Sequence, residues 1–418
     1  YPTTGWVTVK TVTGNIFNAQ DYLVNMTGYN HVRMNITSTN GTGVPYLKMA
    51  VFDAPAGDTD GLFLEGDSIT ANDLTHKGGA NPPNAFASQF AAGQMVLSGG
   101  TYYPNVMVGT TSGYICGGMA FWTTANWAAQ QANFLAGFNG PFVGISLGTN
   151  DLPILPITSY QTAMQSLISY AQGLGKTVLM ATMPYCTDVQ HNAGFVNYRA
   201  AEAALRNATG ALGPDFFSFF FGFVSLSACC GSTGITGLAG NTLTDANNQG
   251  FWSTNCLQGA VINDLTQKGT LGTVVSNTTT SITFSGGTVT PLVGDVYNVS
   301  AKNYTASGGS TTTLVDTSQN WAQNVYYNCW LCNVTKGWSV QISSNTSNTL
   351  TFPTQGTAAS AGDIYTLNGQ NLVTAAPYGD AINEGNGTSQ ALHPGATGGR
   401  AQRILWGQSW ANAMAVTA

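Results

Sequence analysis

The 418-residue sequence predicts an α/β domain with a parallel sheet, extended by an N-terminal β segment and by an inserted pair of β-rich repeats. Three observations carry this. Between residues 61 and 240, short apolar runs alternate with stretches of helical apolar spacing, the order of a parallel sheet with covering helices. Residues 1–60 hold alternating runs between turn residues. Residues 241–369 carry the same set of blocks twice. The length alone suggests two or three domains.

In chain order, His31–Ile36 and Tyr46–Phe52 alternate apolar and polar positions between Gly, Thr, Asn and Pro, so residues 1–60 read as a β-sandwich-like segment. Leu62–Leu64 is a short apolar strand that enters a turn. Thr123–Phe138 is Ala-rich and helix-like, Phe142–Leu147 a buried strand, Ser159–Leu174 a helix with Ala163, Leu167, Ile168 and Ala171 on one face. Thr177–Ala181 is a further strand, Asn197–Asn207 a helix, and Arg400–Met414 the last helix. The α/β domain thus covers 61–240 and 370–418. Within 241–369, Thr242–Asp245 matches Thr313–Asp316, Trp252 matches Trp321, Ser276–Phe284 matches Ser344–Phe352, and Gly294–Tyr297 matches Gly362–Tyr365, at offsets of 68 to 71. These are two β modules, about 241–300 and 312–369. They serve either as structural extensions or as a carbohydrate-binding face built on Trp252, Trp321, Trp330 or Trp338.

Lys and Arg number 12, Asp and Glu 18, together 7% of the chain, against about 25% in a typical soluble domain. Apolar residues still reach 43%, so a normal core lies beneath a neutral, hydroxyl-rich surface. The net charge of −6 and the lack of a basic stripe argue against nucleic acid. No apolar run reaches the roughly 20 residues of a membrane span. The neutral, hydroxyl-rich surface suggests a secreted or cell-surface location, and the chain opens at Tyr1 without Met or an apolar leader, so any signal peptide is already gone. Seven cysteines (Cys116, Cys186, Cys229, Cys230, Cys256, Cys329, Cys332) in such an exterior are expected to form disulfides, with one left over. Ten Asn-x-Ser/Thr sites are candidates for glycosylation: Asn25, Asn35, Asn40, Asn207, Asn277, Asn298, Asn303, Asn333, Asn345 and Asn386.

The histidines are His31, His76, His191 and His393, with no HExxH and no His pair at helical spacing, so neither a metal nor another cofactor is expected. A serine nucleophile needs an exposed turn after a strand, a base, and donors for the oxyanion. Gly144–Gly148 matches GxSxG around Ser146, but Ser146 lies inside an apolar run and a loop follows it, not the helix an elbow requires. In Leu62–Thr70 the apolar run leads directly into Gly66-Asp67-Ser68-Ile69, which places Ser68 at a strand's carboxyl end, where α/β sheets hold ligands.

With Gly66-Asp67-Ser68, Gly148-Thr-Asn-Asp151 and His393-Pro-Gly-Ala-Thr-Gly398 in this order, the chain resembles the SGNH hydrolases, or GDSL-type esterases. The resemblance implies an SGNH/flavodoxin-like three-layer domain. It implies Ser68 as nucleophile, His393 as base, and an oxyanion hole of the Ser68 N–H, the Gly113 N–H (Gly109 as alternative) and the Asn150 side chain. Asp67 and Asp151 would brace their turns. The family's Asp three residues before the His is replaced by Gln390. Gln390 can still orient a ring nitrogen, as can a backbone carbonyl, Asp380 or Glu384, which leaves a Ser–His dyad. The layout also resembles secreted carbohydrate acetylesterases. The expected function is hydrolysis of an acyl ester, O-acetyl first, on an extracellular carbohydrate. The alternative is a surface, filament-forming or glycan-binding protein, homo-oligomeric or assembled, on an SGNH scaffold with weak or lost activity.

Overall fold

The structure is a computed structural model, and it describes residues 4–13, 24–37, 61–70, 95–96, 102–103, 114–119, 121–184, 195–224, 234–246, 254–327, 329–368 and 396–417. Its strands are β1 (Leu62–Gly66), β2 (Met95–Val96), β3 (Tyr102–Tyr103), β4 (Tyr114–Cys116), β5 (Phe142–Ser146) and β6 (Thr177–Met180), followed by the modules' strands below. The helices are α1 (Thr124–Leu135), α2 (Ile157–Gly173), α3 (Phe195–Thr209), α4 (Phe216–Phe220) and α5 (Ala396–Thr417).

Strands β4, β1, β5 and β6 form one parallel sheet in that order, as the alternating pattern predicts. β1 and β5 are buried along their whole length, so each needs apolar residues on both faces. Helix α1 starts at a Thr123 cap that exchanges hydrogen bonds with Asn126. Helix α2 stops where Gly175 takes a φ of +76° and the Lys176 N–H reaches back to the Ala171 carbonyl. On α5, Trp406 is fully buried; a side chain on Gly144 of β5 would meet its ring at 2.9 Å, so glycine there lets the helix seat on the sheet.

The first module contains β7 (Gly222–Val224), β8 (Gly237–Ala239), β9 (Thr242–Thr244), β10 (Val261–Asp264), β11 (Gly269–Asn277), β12 (Ser281–Ser285) and β13 (Tyr297–Ser300), in the order β7-β13-β10-β11-β12-β9-β8. It therefore begins by residue 222, earlier than the boundary at 241 suggested by the repeat. The second module contains β14 (Tyr304–Thr305), β15 (Gly308–Gly309), β16 (Thr313–Val315), β17 (Trp330–Asn333), β18 (Trp338–Gln341), β19 (Ser344–Asn345), β20 (Thr349–Thr351) and β21 (Ile364–Asn368). Its sheets run β14-β21-β17-β18 and β19-β20-β16-β15. This is the first module's order with β11 broken in two. The break falls at the bulge that interrupts β11 between Val274 and Ser276.

The modules pack through equivalent surfaces. Asn298 donates through Nδ2 to Thr366, its counterpart 68 residues on, and Leu265 and Val334 share one apolar cluster. β7 and β21 touch, so the first and last strands of the stretch from Gly222 to Asn368 lie side by side.

Three expectations change. Residues 4–13 and 24–37 form no strand and are mostly exposed, Val7, Val9, Met34 and Ile36 included. Alternation marks an amphipathic strand but supplies no partner for its ladder, and none pairs with these residues among those described. Tyr46–Phe52 lies outside the described residues. No disulfide forms among the described residues; Cys256, Cys329 and Cys332 are buried thiols, and Cys332 packs with Leu265 and Val334 as a small apolar residue. Trp321 is buried in the core, while Trp330 and Trp338 are half-buried against module clusters, which favours filling over binding; Trp252 lies outside the described residues.

Candidate active site

Strand β1 has a parallel neighbour on each side, so its exit is the middle of the sheet's carboxyl edge. Gly66 ends it, and any side chain there would run into Thr70, because the backbone folds directly into a helical turn that starts at Ser68. Asp67 holds that turn through Oδ1, which accepts the Ile69 N–H at 2.9 Å. Ser68 keeps 8% of its surface, enough to place it at the floor of the edge rather than inside the sheet.

Gly66 pairs with Ser146, so the residues after β5 emerge beside Asp67 and Ser68. Ser146 itself is a buried strand residue followed by a loop, as its surroundings in the sequence suggest. Gly148 turns the chain with a φ of +125°, and a side chain there would strike Met183. Asp151 then accepts the Thr124 N–H at 3.1 Å and the Thr124 hydroxyl, which satisfies the amino end of α1. Asp67 braces its own turn, whereas the Asp151 carboxylate caps α1 from another loop. Burial pushes the Asp67 carboxyl up to about 7, with the nearby Asp151 charge adding to it. Burial likewise raises Asp151, against the bonds from Thr124. Asn150 is half-buried, and its Nδ2 donates to the Trp122 carbonyl at 3.1 Å. That bond uses one of its two amide hydrogens and fixes where the other can point.

The loop after β4 closes the site's third side. Met119 N–H and Trp127 Nε1–H both donate to the Gly66 carbonyl, at 2.9 and 2.8 Å. Gly113 and Gly109 lie outside the described residues. Tyr114 pairs with Leu62, at the entry end of β1, whereas Gly117 to Trp122 follow the exit end. Among the described residues, the backbone groups beside the β1 exit are those of the loop after β4.

His393, Gln390, Asp380 and Glu384 lie outside the described residues, as do His76 and His191. His31 is exposed, with Nδ1 2.6 Å from Asn30 Oδ1. Two carboxyls went unread in the sequence. Glu65, on β1, is pushed up to about 8 by burial and takes a bond from Gln131. Glu202 is pushed up to about 8 in the same way and holds the Met183 N–H and the Tyr160 hydroxyl beneath the β5 exit. An acidic residue inside the apolar run Leu62–Leu64 and its continuation was the available signal for the first. No group of three His, Cys, Asp or Glu able to hold a metal occurs among the described residues.

The glycosylation candidates divide sharply. Asn277, Asn298, Asn333 and Asn345 are buried with their amides hydrogen-bonded inside the modules, so they are not acceptors in the folded chain. Asn303 is half-buried and bonded to Asn263 and Thr270. Asn25, Asn35 and Asn207 are exposed, and Asn40 and Asn386 lie outside the described residues.

No family model and no curated protein matches the sequence. Among solved structures, the chain is similar to the acetylxylan esterase Axe2 from Geobacillus stearothermophilus, at 17% identity over 38% of this chain and 77% of that one, with a TM-score of 0.29. It is similar to the esterase EstA from Pseudoalteromonas sp., at 13% identity over 37% and 75%, TM-score 0.28. It is similar to AlinE4, an SGNH-hydrolase family esterase, at 15% identity over 39% and 76%, TM-score 0.27.

Proposed function

We propose that the protein is a secreted serine ester hydrolase of the SGNH type, with the full three-layer, flavodoxin-like arrangement of that family around its parallel sheet. The observation that carries the reading is the Gly66–Ser146 register, which brings Ser68 and Asn150 to one sheet edge from adjacent parallel strands. In this mechanism Ser68 Oγ attacks the ester carbonyl while His393 takes its proton. The oxyanion is held by the Ser68 N–H, the free hydrogen of the Asn150 amide, and a backbone N–H of the loop Gly117–Trp122 in place of Gly113. The alcohol leaves with the proton from His393, and water then cleaves the acyl-enzyme with His393 as base. Gln390 orients the imidazole by accepting a hydrogen bond, without the charge an aspartate would add. The substrate is an O-acyl, chiefly O-acetyl, ester of an extracellular carbohydrate; the low-charge, hydroxyl-rich composition supports a neutral sugar partner.

Covalent labelling with a fluorophosphonate, located by peptide mass spectrometry, tests this without knowledge of the substrate. The expected result is a label on Ser68 that disappears in His393→Ala. No label on the folded protein, or a label on Ser146, would overturn the reading.

A further inference from the structure

The first turn of α1 meets both strand exits of the candidate site. Trp127 stands there fully buried, and its indole N–H donates to the Gly66 carbonyl at 2.8 Å. That carbonyl already accepts the Met119 N–H at 2.9 Å, so a phenylalanine at 127 would leave no polar group unpaired. The second bond fills the carbonyl's other lone pair and fixes the direction of the peptide that leads into Asp67 and Ser68. On its other side the Trp127 ring meets the Trp122 ring in a T, 5.5 Å between centroids and 72° between planes, and Phe134 backs the two at 4.4 and 6.0 Å. The Trp122 carbonyl in turn receives Asn150 Nδ2 at 3.1 Å. One side chain therefore bears on the serine turn by a hydrogen bond and on the asparagine amide through its neighbour's backbone.

We propose that Trp127 is a positioning residue, which fixes the spacing between the Ser68 N–H and the Asn150 amide. The inference rests on the esterase reading, in which those two groups hold the oxyanion. The ladder between β1 and β5 ends at Gly66 and Ser146, before either group, so strand pairing does not set their separation. Thr124 ties Asp151, and with it the loop after β5, to α1; Trp127 carries that link on to β1. Oxyanion donors act only when held in place before the charge develops, and a displacement of about 1 Å can cost about 10²-fold in rate.

The second-order rate at which a fluorophosphonate labels Ser68 tests this, since that reaction also places charge on an oxygen within reach of the same donors. Trp127→Phe keeps a buried aromatic ring and removes the N–H. It should keep a single thermal transition, reach the final extent of labelling of the wild type, and label about tenfold more slowly. In an Asn150→Ala background the same change should slow labelling by no more than about twofold, because the spacing has lost one of its ends. An equal factor in both backgrounds, which a general loosening of the core would give, overturns the inference, as does unchanged labelling in Trp127→Phe. Should Trp127→Phe show no thermal transition, Trp122→Leu, at a half-buried position, decides by the same two criteria. A wild-type chain that takes no label on Ser68 ends the esterase reading and this inference with it; a labelled wild type with independent variants ends the inference alone.

Discussion

The two β modules share one construction and differ in one buried carboxyl. In each, a tyrosine near the end of the module donates to an aspartate near its start: Tyr297 to Asp245 at 2.9 Å and Tyr365 to Asp316 at 2.8 Å. In each, a buried asparagine accepts a backbone N–H through Oδ1, Leu257 on Asn277 at 2.9 Å and Tyr326 on Asn345 at 2.8 Å. The contrast lies around the last turn. In the second module Asn333 Nδ2 donates to Asp363 at 2.9 Å, and Lys336 stands 3.4 Å from the same carboxylate. In the first, the counterparts are Asp264, Asp295 and Gln267; Gln267 Nε2 donates to both Asp295 oxygens, at 3.0 and 3.2 Å. Asp264 Oδ2 is the oxygen left without a donor, where Asn333 has Nδ2. Asp264 can act as its counterpart does only by carrying a proton. Its carboxyl is accordingly pushed up to about 7, by burial first and by Asp295 beside it. A fixed amide in one copy is replaced by a solvent-derived proton in the other, so at this position the first module depends on a protonation that the second does not need.

The largest effect should come from what the modules share. Asn345→Ala removes the acceptor for Tyr326 N–H and the donor to the Ala322 and Thr346 carbonyls, leaving buried backbone groups unpaired. At about 1–3 kcal/mol for each such group, a loss of about 3 kcal/mol is expected in urea unfolding followed by tryptophan fluorescence. Asn277→Ala removes the bonds to Leu257 N–H and the Thr278 carbonyl and should cost about 2 kcal/mol. A cost below about 0.5 kcal/mol, the level of an ordinary surface change, would mean that water replaces these bonds and the shared lock is no lock.

The next effect separates the modules by pH. Asp264 has a raised folded-state value, so the folded chain holds a proton between about 4 and about 7 that the unfolded chain has released. Its stabilisation is complete at acid pH and is lost as pH climbs through about 7. Asp264→Asn should leave the thermal midpoint at pH 5 nearly unchanged and raise it by a few degrees at pH 8. Asn333→Asp should do the reverse, lowering the midpoint at pH 8 more than at pH 5. Glu65, Asp67 and Glu202 also carry raised values and lose stabilisation as pH rises, so the Asp264 effect is read from the difference between variant and wild-type profiles. Parallel profiles for Asp264→Asn and wild type would remove the proton from the account.

The repeat was legible in the sequence because the matched blocks hold the locking residues themselves: Asp245 and Asp316, Asn277 and Asn345, Tyr297 and Tyr365. The strand β7, which pairs with β13, lies outside the matched blocks. The parallel sheet was legible because β1 and β5 are buried on both faces and are apolar over most of their length, Glu65 being the charged exception. Of the candidate site, Ser68 and Asn150 were legible through short motifs at strand exits. The loop that flanks them was not, because only the register of β4 on β1 distinguishes Gly117–Trp122 from the glycines before the strand.

The smallest expected effect, at Lys336, bears most directly on why the modules diverged. Lys336 is 26% exposed and sits 3.4 Å from Asp363, a partly solvated pair of the kind that contributes less than about 1 kcal/mol. Gln267 fills the same place in the first module with a neutral amide. Lys336→Gln alone should therefore shift stability by no more than about 0.5 kcal/mol, and the shift should vanish in 0.5 M salt, where the screening length falls well below 10 Å. Its weight should appear only when Asn333→Asp puts a second carboxylate beside Asp363, because Lys336 then offsets one of two charges. In a double-mutant cycle at pH 8, Asn333→Asp with Lys336→Gln should be less stable than the sum of the single changes, and at pH 5 the two should add. Additivity at both pH values would mean that the two carboxylates in the first module do not share a site, and that Asp264 owes its raised value to burial alone.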